Sequence, residues 1–172
     1  MISETSLFRD RLAKYCVGDG IDIGYGGDPI VPHAICIDLP KRYSNVGNAP
    51  QHLHGDARNL RWFRDEVFDW VYSSHLLEDF ENTKDVLAEW IRVLKPGGYL
   101  ILLQPDQQVY IKYCRATGQV INAAHKISNF SLQYLKEILL ELGMEICEEQ
   151  DVAPFKIGDR RSYNFFIVGR KR

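Results

Sequence analysis

At 172 residues the chain suits a single domain, 1–172, that can bury roughly 70% of the surface its unfolded form exposes, without disulfide or metal staples. A composition 45% hydrophobic and 26% charged with net charge −2 is ordinary for a globular protein and argues against long nucleic acid as a partner. No apolar run long enough for a membrane span and no signal-peptide pattern occur, so a cytoplasmic protein with no membrane partner is expected, and cysteines 16, 36, 114 and 147 lack CxxC spacing, which suits reduced thiols.

Residues 4–15 read as an amphipathic helix with Leu7, Phe8, Leu12 and Tyr15 on one side. A first strand at 20–23 runs into Gly24-Tyr25-Gly26-Gly27, where the missing Cβ atoms allow close approach of a ligand. A second strand at 34–38 ends in Asp38, followed by Leu39, and a third covers 51–54. Pro29 and Pro32 between the first two strands leave no room for a full crossover helix, and Pro40 to Pro50 also lacks helical periodicity. The side of the sheet built by these strands is therefore reduced.

A fourth strand is predicted at 67–73. Asn82 with Asp85 resembles a capping box opening a helix that runs to Leu94, stopped by Lys95-Pro96-Gly97-Gly98. Tyr99 to Leu103 is continuously apolar and suits a strand buried on both faces. Residues 104–130 read as loop plus a short helix; Ser131 then caps a helix ended by Gly143. Two closing strands, 144–149 and 163–169, lie too near each other for a helical crossover and pair antiparallel. The alternation gives a three-layer α/β domain.

In this order the motifs resemble a known family. Asp22-Ile23-Gly24-Tyr25-Gly26, the strand-ending Asp38, Gly55-Asp56-Ala57, the segment Phe68 to Glu78 and Arg92-Val93-Leu94-Lys95-Pro96-Gly97-Gly98 are together similar to the small class I S-adenosylmethionine (SAM)-dependent methyltransferases of the type-11 kind. The resemblance implies a Rossmann-like seven-stranded sheet ordered 3-2-1-4-5-7-6 with strand seven antiparallel. It implies SAM as cofactor and S-adenosylhomocysteine (SAH) as product. By the same resemblance Asp22 orients the amino-acid tail, Asp38 accepts from the ribose hydroxyls, and Asp56 with Ala57 meets the adenine. Gly24, Tyr25, Gly26, Gly27 and Leu39 line the cofactor, and Ser73, Ser74 and His75 close the site near the methyl group. The chain departs from the pattern at the third glycine, near Asp28, and at Asp79, where the family often has His.

The expected function is methyl transfer to an unidentified, small-molecule acceptor. Gln104 and Asp106, leaving the fifth strand, are candidates to face it, with Tyr110 and Tyr113 as a roof; His75 and Asp106 are the candidate bases. His52, His54 and His33 match no structural zinc spacing, so no metal is expected. The alternatives are a non-catalytic SAM-binding or partner-regulating module and, less compatible with the acid inside the glycine motif, a nicotinamide-dependent oxidoreductase.

Overall fold

A computed structural model describes residues 2–41 and 46–172. Seven strands form one sheet: β1 (Gly20–Ile23), β2 (Ile35–Asp38), β3 (Leu53–His54), β4 (Phe68–Ser74), β5 (Leu94–Pro105), β6 (Glu145–Gln150) and β7 (Asn164–Arg170). Their order is β3-β2-β1-β4-β5-β7-β6, parallel except for β7, which is antiparallel to both neighbours. This is the order that the family resemblance implied.

Strand alternation sorts the core into two layers. Ile21, Ile23, Val71, Leu100, Leu102, Phe165 and Ile167 pack beneath α2 (Thr83–Val93) and α4 (Leu132–Glu141). Cys36, Trp70, Tyr72, Ile101, Leu103, Phe166 and Val168 form the other layer with Phe8 and Leu12 of α1 (Glu4–Leu12). Ile30 and Val31 complete that second layer. They belong to the Tyr25–Ala34 connection, which contains no helix. α1 and an apolar loop thus cover the sheet where a crossover helix is missing.

Two local readings change, and a third, loop plus a short helix over 104–130, is met. Asn82 precedes α2 but its side chain makes no cap bond; the turn is closed by the Asp85 amide donating to the Asn82 carbonyl. β5 begins at Leu94 rather than Tyr99, because Leu94 pairs with Phe68 of β4 just after the Glu66 and Val67 amides donate to the Arg92 and Val93 carbonyls. Residues 104–130 contain a three-turn helix, α3 (Gln107–Thr117), ended by Gly118 in the left-handed region at φ 70. Ser131 caps α4 as expected, its hydroxyl accepting from the Tyr134 amide. The middle of the Pro40–Pro50 connection, 42–45, lies outside the described residues.

Candidate cofactor and acceptor site

The carboxyl ends of β1, β2 and β4 open into a cavity of about 280 Å³, near the lower end of the range for small-molecule pockets, roughly 300–1,000 Å³. Of the residues singled out from sequence, Gly24, Asp38, Leu39, Asp56, Ala57 and His75 line it. Ile23, Ile37, Gly55, Arg58, Leu76, Asp79 and Phe80 line it as well and were not named as cofactor residues. Most of these are sequence neighbours of a named residue, so the motif located the wall but not each atom of it.

Asp38 ends β2 with one oxygen held by the Leu39 amide at 2.8 Å and the other by the Gly26 amide at 3.3 Å. Asp56 is gripped by the Arg58 guanidinium at 2.6 Å and by the Arg58 amide, and the hydrogen bonds from Arg58 hold its pKa below the ordinary carboxylate value. Gly24 sits at φ 71, and a Cβ there would meet the Leu76 side chain at 2.8 Å. Gly55 lies under the half-exposed Trp62 ring, 2.5 Å from where its Cβ would be.

These residues fit an adenosine-bearing cofactor. A Cβ on Gly24 would crowd Leu76, itself part of the wall, and one on Gly55 would crowd Trp62, so both positions favour glycine. Asp38 and Asp56 present acceptors, and Asp79 on the same wall has a buried oxygen with no donor among the described residues. Burial raises the Asp79 pKa to about 6. An unpaired buried acceptor beside an open cavity favours a ligand that brings donors.

Other expected cofactor residues lie behind this wall. Asp22 faces the α1 layer with Cys36 and Tyr72, its register partners in β2 and β4. It is 1% exposed and one oxygen accepts from the Ile30 amide at 2.8 Å. Burial pushes its pKa up to about 8. Gly26 and Gly27 are crossed by another stretch of backbone: the Val46 amide donates to the Gly26 carbonyl and the Ala49 amide to the Gly27 carbonyl, each at 2.9 Å. Tyr25 reaches the same stretch, its hydroxyl donating to the Ala49 carbonyl. The close approach these glycines permit is thus taken up by the protein's own chain. Ser73 is fully buried and donates to the Ile23 carbonyl, while Ser74 is half-buried beside Tyr72 and outside the cavity lining.

A second cavity, about 570 Å³, adjoins the first. His75 lines both. Tyr110 and Tyr113 of α3 line the second cavity; Gln104 and Asp106 do not. Gln104 is fully buried, its amide facing the Ser73 carbonyl. Asp106 caps α3, accepting from the Gln108 and Val109 amides at 3.1 and 3.0 Å. The remaining wall includes Glu4, Glu78, His125, Arg160 and Tyr163. These come from distant parts of the chain and carry no shared motif. Among the described residues no group of three or more His, Cys, Asp or Glu side chains is arranged to hold a metal ion, and no helix is long and apolar enough to cross a membrane.

The type-11 methyltransferase family, described as a methyltransferase domain, matches residues 29–102. Among curated proteins the chain is 29% identical over 117 residues to the biotin biosynthesis bifunctional protein BioHC of Teredinibacter turnerae, covering 66% of this chain and 20% of that protein. It is 37% identical over 71 residues to a demethylmenaquinone methyltransferase of Staphylococcus saprophyticus, covering 41% of this chain and 30% of that protein. The chain thus spans less than a third of the length of either. A SAM-dependent methyltransferase of Thermotoga maritima, described as a possible histamine N-methyltransferase, superposes with TM-score 0.69 over 96% of this chain and 89% of its own, at 22% identity. That likeness is one of fold.

Proposed function

We propose that this chain is a class I SAM-dependent methyltransferase of the type-11 kind, the family that matches its residues 29–102, and that it holds SAM in the Asp38 cavity and passes its methyl group to a small molecule in the adjoining cavity. The observation that carries this reading is His75, which forms part of both walls. A methyl donor in one cavity and an acceptor in the other would meet beside it.

When bound, SAM supplies a methyl group already activated by its sulfonium. The protein's contribution is then mainly alignment, which by itself lowers a barrier by roughly 7–11 kcal/mol in well-oriented systems. Asp38 accepts from the ribose hydroxyls, a charge-assisted contact. Its two amide bonds to Leu39 and Gly26 fix its position beforehand. Ala57 and the Arg58-clamped Asp56 form the adenine side, and Asp79 offers its unpaired oxygen to a donor. Gly24, Leu39 and Leu76 supply apolar or backbone wall. Asp22, Gly26, Gly27 and Tyr25 support that wall from behind.

Calorimetric titration with SAH, followed by a methyl-transfer screen, tests the reading. Demethylmenaquinone, after which the S. saprophyticus relative is named, is the first acceptor to screen. SAH binding with no turnover on any acceptor would favour the second reading, a non-catalytic SAM-binding module. The inward-facing Asp22 and the occupied glycine loop are the observations on its side.

A further inference from the structure

In the second cavity two imidazoles are turned toward one carboxyl group. His75 Nε2 faces Asn164 Oδ1 at 2.6 Å, and since an amide oxygen only accepts, Nε2 carries the proton. His125 Nδ1 faces Gln107 Oε1 at 2.6 Å and is protonated for the same reason. The unprotonated nitrogens, Nδ1 of His75 and Nε2 of His125, then lie 3.7 and 3.6 Å from the same oxygen, Oε1 of Glu78. Glu78 is 1% exposed and its other oxygen has no partner among the described residues.

We infer that this cavity takes a neutral acceptor whose attacking atom carries a proton, a ring hydroxyl of phenol type, and that His75 Nδ1 removes that proton with Glu78 and His125 as positioning residues. The inference deepens the function proposed above and rests on it. In the balanced step the acceptor O–H proton moves to His75 Nδ1. The oxygen lone pair forms the new bond to the methyl carbon, and the electrons of the breaking C–S bond stay on sulfur. The proton leaves afterwards to solvent.

The charge around the cavity selects this class. Burial works against the Glu4 carboxylate, but His75 in its protonated form and the Arg160 guanidinium outweigh that and hold its pKa below the ordinary carboxylate value. Arg160 pairs with it at 2.7 Å, so the two cancel. Burial, reinforced by the neighbouring Asp79 carboxylate, keeps Glu78 protonated well above the ordinary range. Burial lowers both imidazoles, His75 against the opposing pull of Glu4 and His125 to about 4. Tyr163 donates to Glu4 from the same wall, and Lys126 acts on Asp79. The lining is therefore close to neutral, which disfavours an ammonium acceptor. Tyr110 lies 4.8 Å from the His125 ring and 5.5 Å from Tyr163, and Tyr113 lies 4.8 Å from Tyr163, giving flat apolar faces for a ring. A phenol needs its proton removed near neutral pH, since its pKa is about 10.

The test uses 4-nitrophenol, whose phenolate absorbs apart from the neutral form, with SAH-saturated protein at a pH slightly below the probe's own pKa. His75 sits at φ 52, a conformation Asn adopts readily, so His75→Asn removes the base without straining the backbone. Wild type is expected to bind the probe with a phenolate fraction raised severalfold over free solution. His75→Asn is expected to bind it as the neutral phenol, and Glu78→Gln to give an intermediate fraction. SAH bound but no probe bound, or the same phenolate fraction in wild type and His75→Asn, overturns the inference and leaves the cofactor reading standing. A Glu78→Gln spectrum equal to wild type overturns the role given to Glu78. No SAH binding at all removes the cofactor reading, and this inference with it.

Discussion

Asp22 Oδ2 accepts the Ile30 amide at 2.8 Å, which turns the acid of the glycine signature into the core rather than toward the cavity. Its other oxygen is buried without a partner among the described residues. Because burial raises its folded pKa to about 8, the stability tied to its protonated form is full below about pH 4 and is lost as pH rises toward 8. Asp22→Asn keeps the acceptor for Ile30 and cannot ionise. The variant should therefore gain stability over wild type, by on the order of 3 kcal/mol more at pH 8 than at pH 5. Denaturant midpoints of both proteins at the two pH values read this, and equal differences at both would show that Asp22 ionises freely in the fold.

Gly20 is needed for a different reason. A Cβ there would sit 2.1 Å from two ring atoms of Trp70, which is itself fully buried. Overpacking of this kind costs about 1–3 kcal/mol. Gly20→Ala should lose about that much in chemical unfolding, and a variant as stable as wild type would mean that β1 and β4 are not in this register.

Asp106 is a helix cap in this structure. Asp106→Ala should cost about 1 kcal/mol of stability, as cap removal does. SAH affinity should be unchanged within error. A tenfold loss of affinity at unaltered stability would return Asp106 to the binding site.

The sheet order was legible from the resemblance carried by the ordered motifs from Asp22 to Gly98, and the antiparallel pairing of β6 with β7 from the short link between them. The Tyr25–Ala34 loop was legible from Pro29 and Pro32. The direction of Asp22 was not, since a one-residue change in strand parity decides which layer a side chain enters. Asp106 was misplaced because the Asp of Pro105-Asp106 was weighed as a site residue and not as the start of a helix. The second cavity had no local signal: Glu4, Glu78, His125 and Tyr163 meet only when the sheet is folded. The one sign available was Glu78 itself, an acid beside the apolar Leu76-Leu77 pair.

The most direct measurement is calorimetric titration of SAH into wild type and Asp38→Ala. Asp38 lines the cavity with both oxygens positioned by backbone amides. Wild type should bind one SAH per chain, and Asp38→Ala should bind more weakly by about 1.5–3 kcal/mol, the range for hydrogen bonds to charged groups. No heat of binding from wild type at millimolar SAH, or equal affinity in the two proteins, would contradict the account.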